Sequence, residues 1–336
     1  MESVHLTGPL PAVRRLVTAA ADLGIEHEVI GGVLRVPTDA APALFDRAGR
    51  TLAPLEAALV RVVRTDLVKG DPAAMMAATS SAPTLAHVIA RRRHRGLLDA
   101  ILSRSGVAVG FQPIVDLHDD HVLGYEALLR VRANGTDVAP ADVLAAAEEA
   151  GRLVEVDGVA RAAAVEEAAP HLGDRLMFLN ILPASLPVPV EHLASFTRTV
   201  VEHGLEPSRI VLEAPVGPAG ALRRQLASVF EAAREAGFLI GLDNVRSDRD
   251  LGSVLVRPDT VKLDRSLVRG LPSTSAAKAF GQILRETSHT SSMLIAQGIE
   301  SAEHVRAVRD LGVTAAQGWH LGRPGSIASE VAADAS

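Results

Sequence analysis

The chain has 336 residues, of which 48% are hydrophobic and 3% aromatic, with no cysteine and a formal net charge of −6. That length suits one large barrel plus a smaller domain, with a core of Ala, Val, Leu and Ile. The same figures exclude disulfides, thiolate zinc sites and cysteine nucleophiles, and they give no global attraction to nucleic acid or anionic lipid.

Residues 1–85 read as a small α/β and helical unit. A strand, SVHLTG, precedes a helix, LPAVRRLVTAAADLG. Two strands follow, HEVIGG and VLRVP, then a helix from Ala40 to Ala48. Pro54 opens a further predicted helix, LEAALVRVVRTDLV. The stretch DPAAMMAATSSAPTLA reads as a helical connector. No motif that carries chemistry stands out in these residues. The start, MESVHLTGPL, lacks a basic segment followed by an apolar core, and no run of about 18 apolar residues predicts a membrane span. The expected compartment is the cytoplasm. Arg91, Arg92, Arg93, His94 and Arg95 form a basic cluster. In a net acidic chain it reads as the solvated face of a helix running to Ser103 rather than a phosphate patch, and an interdomain signalling helix is a further reading.

From Val107 onward the pattern is regular. VAVGFQPIVDL and HVLGYEALLRV flank a tight HDDH turn and predict an antiparallel hairpin. A helix from Asp142 to Ala150 lies between Pro140 and Gly151. Strands near 175–180, 209–214, 238–243, 259–263, 292–297 and 313–317 alternate with helices. The sum is a TIM-like (β/α)8 barrel with an antiparallel first strand over 86–330, and a disordered tail over 331–336.

Several of these strands end in polar residues. RLMFLN, RIVLEA, FLIGLDN, DTVKLD and SMLIAQG end at Asn180, Glu213, Asp243 with Asn244, Lys262 and Gln297. Active sites of α/β barrels lie at the carboxyl ends of their strands, so these side chains are expected to converge on one mouth. Glu126 sits in an otherwise apolar strand and must be paired, metal-bound or exposed. Glu126, Asn180, Glu213 and Asp243 supply oxygen ligands only, which suit Mg²⁺ or Mn²⁺ and not zinc. Lys262 is placed to neutralise charge or orient a water, and Arg130 to meet a phosphate with paired donors. Together they point to metal-assisted chemistry on a phosphodiester, or to its recognition. Trp319 has two readings, a stacking surface for a base or a plug under the last loop. His118, His121 and His320 lack metal-motif spacing and read as turn or surface groups. Gly135 and Gly217 mark turns.

The ordered motifs resemble the EAL domain family of bacterial phosphodiesterases and receptors for cyclic di-GMP. They are Gln112 to Leu117, Tyr125 to Arg130, Phe178 to Asn180, Val211 to Glu213, Leu242-Asp243, Val261 to Asp264, Ala296 to Glu300, and Gln317-Gly318 to Pro324. The resemblance implies that Glu126, Asn180, Glu213 and Asp243 ligate a first metal ion. It implies that Lys262, Glu126 and Gln317 serve catalysis around the attacking water. It places Gln112, Leu128, Arg130, Asn180, Asp264 and Pro324 against the substrate. Residues 1–85 resemble nothing recognisable.

This chain departs from the family pattern in ways that bear on activity. Asn244 stands where a second adjacent aspartate is expected, and Gln297 where a glutamate is expected. Val216 replaces a glutamate that braces the following loop, and that loop reads Val245-Arg246-Ser247-Asp248. Neutral amides offer a hard cation less than carboxylates do. The expectation is a degenerate barrel with one Mg²⁺ or Mn²⁺ ion, held weakly or lost. It binds cyclic di-GMP or a partner protein with little or no hydrolysis, and residues 1–100 pass the signal to a protein partner. Arg246 adds a cation that could offset phosphate charge. The alternative is an active Mg/Mn-dependent phosphodiesterase releasing pGpG. Whether the chain forms a homodimer stays open.

Overall fold

The computed structural model describes residues 3–64, 78–79, 82–133, 135–181, 189–216, 221–252, 256–271, 274–288 and 292–334. The chain divides into two compact units, residues 1–97 and 98–336. The first contains β1 (Ser3–Thr7), α1 (Leu10–Asp22), β2 (Glu28–Ile30), β3 (Val33–Pro37), α2 (Ala41–Thr51), α3 (Pro54–Leu59) and β4 (Arg61–Arg64). Its strands form an antiparallel sheet in the order β2-β3-β1-β4. This is a split β-α-β motif. Alternation along the strands buries Val4, Leu6, Leu34 and Val36, and the helices meet them with Val13, Leu16, Leu44 and Phe45.

The helix predicted over LEAALVRVVRTDLV is corrected. It stops at Leu59, and Arg61–Arg64 pairs with β1. Val62 and Val63 are β-branched and suit a strand, and the edge of β1 supplies the partner. Residues 65–68 of that expectation, and most of the proposed connector, lie outside the described residues. The basic cluster lies on α4 (Leu85–Leu102), where Arg92 pairs with Asp46 at 3.1 Å.

The second unit holds β5 (Val107–Asp116), β6 (Val122–Ala133), β7 (Thr136–Val138), α5 (Pro140–Glu149), α6 (Leu153–Ala168), β8 (Leu176–Asn180) and α7 (Pro189–Glu202). There follow β9 (Ile210–Pro215), α8 (Ala221–Glu235), β10 (Leu239–Val245), α9 (Asp248–Gly252), β11 (Thr260–Leu263), α10 (Arg265–Arg269) and α11 (Thr274–Ser288). The chain ends with β12 (Met293–Gln297), α12 (Ala302–Asp310), β13 (Ala315–Gln317) and α13 (Ile327–Asp334). Strands β5, β6 and β8 to β13 close into an eight-stranded barrel, with β7 attached to β6. β5 runs antiparallel to both of its neighbours, and the other barrel pairs are parallel. The short β5–β6 turn forces that reversal, because parallel strands need a long crossover. Residues 331–334 of the segment read as a tail continue α13, whose first residue, Ile327, is buried.

The barrel interior is layered. Ile114, Phe178, Val211, Ile295 and Ala315 form an apolar stratum. Side chains two positions apart on a strand share a face. One step towards the mouth therefore places Gln112, Asn180, Glu213, Gln297 and Gln317 above that stratum. Gly241 and Thr260 lead in the same way to Asp243 and Lys262. An apolar floor thus carries a polar ring.

Candidate functional site

Lys262, fully buried, is the hub of the ring. Its Nζ donates to Glu213 Oε2 at 2.6 Å and lies 3.1 Å from Glu126 Oε2. Below it, the Phe178 ring centroid is 5.1 Å away. Glu126 also accepts from Asn180 Nδ2 at 3.1 Å and from Gln317 Nε2 at 2.7 Å. Gln317 reaches on to Gln112 Oε1 at 3.2 Å, and Gln112 Nε2 donates to the Gly322 carbonyl at 3.0 Å. Asp243 receives Gln297 Nε2 at 3.0 Å on one oxygen and Asn244 Nδ2 at 2.7 Å on the other. Glu213 Oε1 is buried without a partner.

The charges follow from burial and proximity. Burial opposes the charge on Lys262, but Glu126, Glu213 and Asp243 outweigh it and raise the ammonium above its usual range. Burial also works against ionised Glu126, yet Lys262 and the hydrogen bonds from Gln317, Lys262 and Asn180 hold it below the usual carboxylate range. Glu213 is pushed up to about 8 by burial, with Glu126 and Asp243 adding to the effect and Lys262 opposing it. Burial raises Asp243 in the same direction, with Glu126 reinforcing it and Lys262 opposing.

The donor set fits one divalent ion. Three carboxylates and one ammonium, 3 − 1, leave a formal charge of −2, and Glu213 Oε1 is an orphaned buried acceptor of the kind a cation satisfies. A half-turn of the Asn180 amide offers its oxygen to the same place. A second ion is a poor fit. Asn244 and Gln297 bring no charge, and both spend N–H donors on Asp243. Asn244 also has φ +60°, at a register shift between β10 and β11. Asn tolerates that left-handed conformation better than most residues.

The loop after β10 is folded onto its own helix. Arg246 and Ser247 backbone N–H groups both donate to Asp250 Oδ2. Arg246 Nη2 reaches Asp264 Oδ2 at 3.2 Å, while Asp264 Oδ1 caps α10 by accepting from Ser266 N at 2.8 Å. Asp264 is therefore buried in a capping role beside the mouth. Val216 is half-buried; its N–H donates to the Asp243 carbonyl at 3.0 Å, and its side chain has no polar group to brace the loop. Arg130 is exposed, and its guanidinium lies with Pro324 over Gly110. Leu128, Arg130, Asn180 and Asp243 share the wall of a cavity of about 350 Å³.

Trp319 does not plug the last loop. It is 64% exposed, with the Arg323 guanidinium 4.8 Å from its ring. His121 pairs with Asp119 in the β5–β6 turn, both exposed, and half-buried Asp116 lies close; the group sits at the barrel end opposite the mouth. The sequence reading missed the Asp157–Arg161 pair on α6, which lines the same cavity. Its only signal was the one-turn spacing of opposite charges in an apolar helix.

The EAL domain family model matches residues 94–324. A probable cyclic di-GMP phosphodiesterase of Escherichia coli K12, PdeI, is 27% identical over 229 residues, covering 64% of this chain. The chain spans 28% of that relative's length. The FimX EAL domain of Xanthomonas citri, solved in complex with c-di-GMP, matches with TM-score 0.65 at 20% identity, over 71% of this chain and 96% of that one. The FimX EAL domain of Pseudomonas aeruginosa, also solved bound to c-di-GMP, matches with TM-score 0.62 at 23% identity, over 69% and 96%. Likeness at this identity shows the fold. With the family model matched across most of the chain, the protein belongs to the EAL domain family.

Proposed function

We propose that the barrel mouth binds cyclic di-GMP and hydrolyses it little or not at all. The observation that carries this reading is the placement of Asn244 and Gln297: two neutral amides occupy both oxygens of Asp243 where a two-ion site needs carboxylates. One ion, Mg²⁺ or Mn²⁺, would be held by Glu126, Asn180, Glu213 and Asp243 and would polarise a phosphate oxygen as a Lewis acid. Lys262 holds Glu126 and Glu213 in place and supplies positive charge beneath a bound phosphate. Gln112 and Gln317 fix the side of the mouth nearest β5, while Arg130 offers paired donors to a phosphate. Leu128 and Pro324 give apolar contact, and Asp264 acts through the loop it anchors. The related EAL domains solved with c-di-GMP support the choice of ligand. On this reading the protein works in the cytoplasm, residues 1–85 form a separate domain, and a partner protein docks through residues 1–100. No helix among the described residues is long and apolar enough to cross a membrane.

Calorimetric titration with cyclic di-GMP, followed by chromatography of the nucleotide after incubation with Mg²⁺ or Mn²⁺, tests the proposal. Binding with intact cyclic di-GMP recovered is expected. Turnover to pGpG at the rate of an active relative would replace this reading with that of a working phosphodiesterase. Absence of binding would leave only partner docking.

A further inference from the structure

In the first unit, Val4, Leu6, Leu34 and Val36 pack towards the helices. Alternation therefore turns His5, Thr7, Val33 and Arg35 to the other face of the sheet. Register sets these side chains in rows across the strands. Val63, His5, Arg35 and Glu28 make one row, running from β4 through β1 and β3 to β2. The next row holds Thr7 on β1 and the Val33–Ile30 pair on β3 and β2. Opposed side chains of this kind have Cβ atoms about 5 Å apart.

A cavity of about 300 Å³ lies over the two rows, lined by His5, Thr7, Ile30, Val33, Arg35 and Val63. That size is at the small end for ligand pockets. The lining combines two polar nitrogen-bearing side chains with three aliphatic ones. Arg35 Nε donates to Oγ of buried Ser3 at 3.0 Å, which fixes the guanidinium on one arm. Its Nη1 reaches Glu28 Oε2 only at 3.5 Å, and no described residue accepts from Nη2. His5 Nε2 is buried and has no partner among the described residues. Buried polar atoms are as a rule hydrogen-bonded, so this nitrogen calls for a partner in the cavity. Burial, with the Arg35 guanidinium adding to it, holds the imidazole below its usual range. The ring is therefore neutral near pH 7 and can carry its proton on Nε2 as a donor.

We propose that this cavity binds a small monocarboxylate with a short branched aliphatic chain. The carboxylate accepts from Arg35 Nη2 and from His5 Nε2, and charge-assisted bonds of this sort are the strong ones. The chain lies on Ile30, Val33 and Val63, away from water. Glu28 stands in the same row as Arg35 and opposes a second negative charge, which favours a monocarboxylate over a phosphate dianion. The exposed Arg35–Glu28 contact is itself weak and leaves the guanidinium available. The site is separate from the barrel and does not depend on cyclic di-GMP.

Calorimetric titration of the full chain with sodium 3-methylbutanoate tests the proposal, with acetate, inorganic phosphate and 3-methylbutylamine as comparison ligands and thermal unfolding of each variant. The wild type is expected to bind 3-methylbutanoate about tenfold or more tightly than acetate, because the aliphatic chain is buried. Phosphate and the amine are expected to bind more weakly still. R35M is expected to weaken 3-methylbutanoate about 10- to 150-fold, and H5F to weaken it in the same direction. Arg35 is exposed, so R35M is expected to unfold like the wild type. Should H5F fail to fold, R35M and R35Q decide the matter. A wild type without saturable binding of 3-methylbutanoate overturns the proposal. Equal binding of acetate, phosphate or the amine overturns it too, since the contact would then lack the stated chemistry. A folded R35M or H5F protein that binds like the wild type places the ligand elsewhere and likewise overturns it.

Discussion

Lys262 shows how a single side chain sets the behaviour of the mouth. It is the cation between Glu126 and Glu213, all three being buried. Removing one partner of such a group strands the others in a low-dielectric site. K262M should therefore lower stability by about 3–5 kcal/mol in urea unfolding, and K262M/E213Q should recover part of the loss. Glu213 carries a pH dependence of its own. Its folded pKa is raised from 4.5 to about 8, so the folded chain holds a proton that the unfolded chain has released. The associated stability is fully present below the unfolded value and is lost as pH rises through the folded one. Urea midpoints should thus decline from pH about 5 to about 9, and E213Q should flatten that decline. An equally steep decline in E213Q would remove Glu213 as its source.

At the scale of elements, β10 is where the site is built. Gly241 lies one step below Asp243, and a Cβ there would sit 2.7 Å from Glu213 Cγ and 2.9 Å from Thr260 Oγ1. G241A should cost about 1–3 kcal/mol through overpacking, and it should weaken cyclic di-GMP binding by displacing Glu213. The bulge that follows carries Asn244 into the left-handed region and turns its amide onto Asp243. Adding charge here and at the end of β12 tests the metal argument. N244D/Q297E takes the formal balance from −2 to −4 and should raise Mn²⁺ affinity, read by calorimetry, by at least tenfold in its dissociation constant, or about 1.4 kcal/mol. Unchanged Mn²⁺ binding would mean that the amides are not what limits the site.

At the scale of the molecule, each unit carries its own core, one around Leu6, Leu16 and Leu34 and the other in and around the barrel. Differential scanning calorimetry should accordingly resolve two transitions. Cyclic di-GMP at a hundred times its dissociation constant should stabilise the barrel by about 2.7 kcal/mol and leave the other transition in place. Movement of both transitions together would show that ligand binding is coupled to the first unit.

Strand order, barrel closure and the polar strand ends were legible in the chain itself. Alternation with period two is local, so Phe178 with Asn180, or Val211 with Glu213, already declares a shared face. The neutral amides at 244 and 297 were legible as well, because they are a matter of residue type. Contacts between distant segments were not. Val62 and Val63 became a strand only because β1 offered an edge, and Trp319 stayed exposed because nothing closes over it among the described residues. The tertiary structure alone decided that Lys262 bridges two carboxylates, that both amides turn onto Asp243, and that Arg161 lines a cavity beside them. The cause is physical: a local pattern says which way a side chain faces, while its charge state and partners depend on which groups closure of the barrel brings within reach and on how much water remains around them.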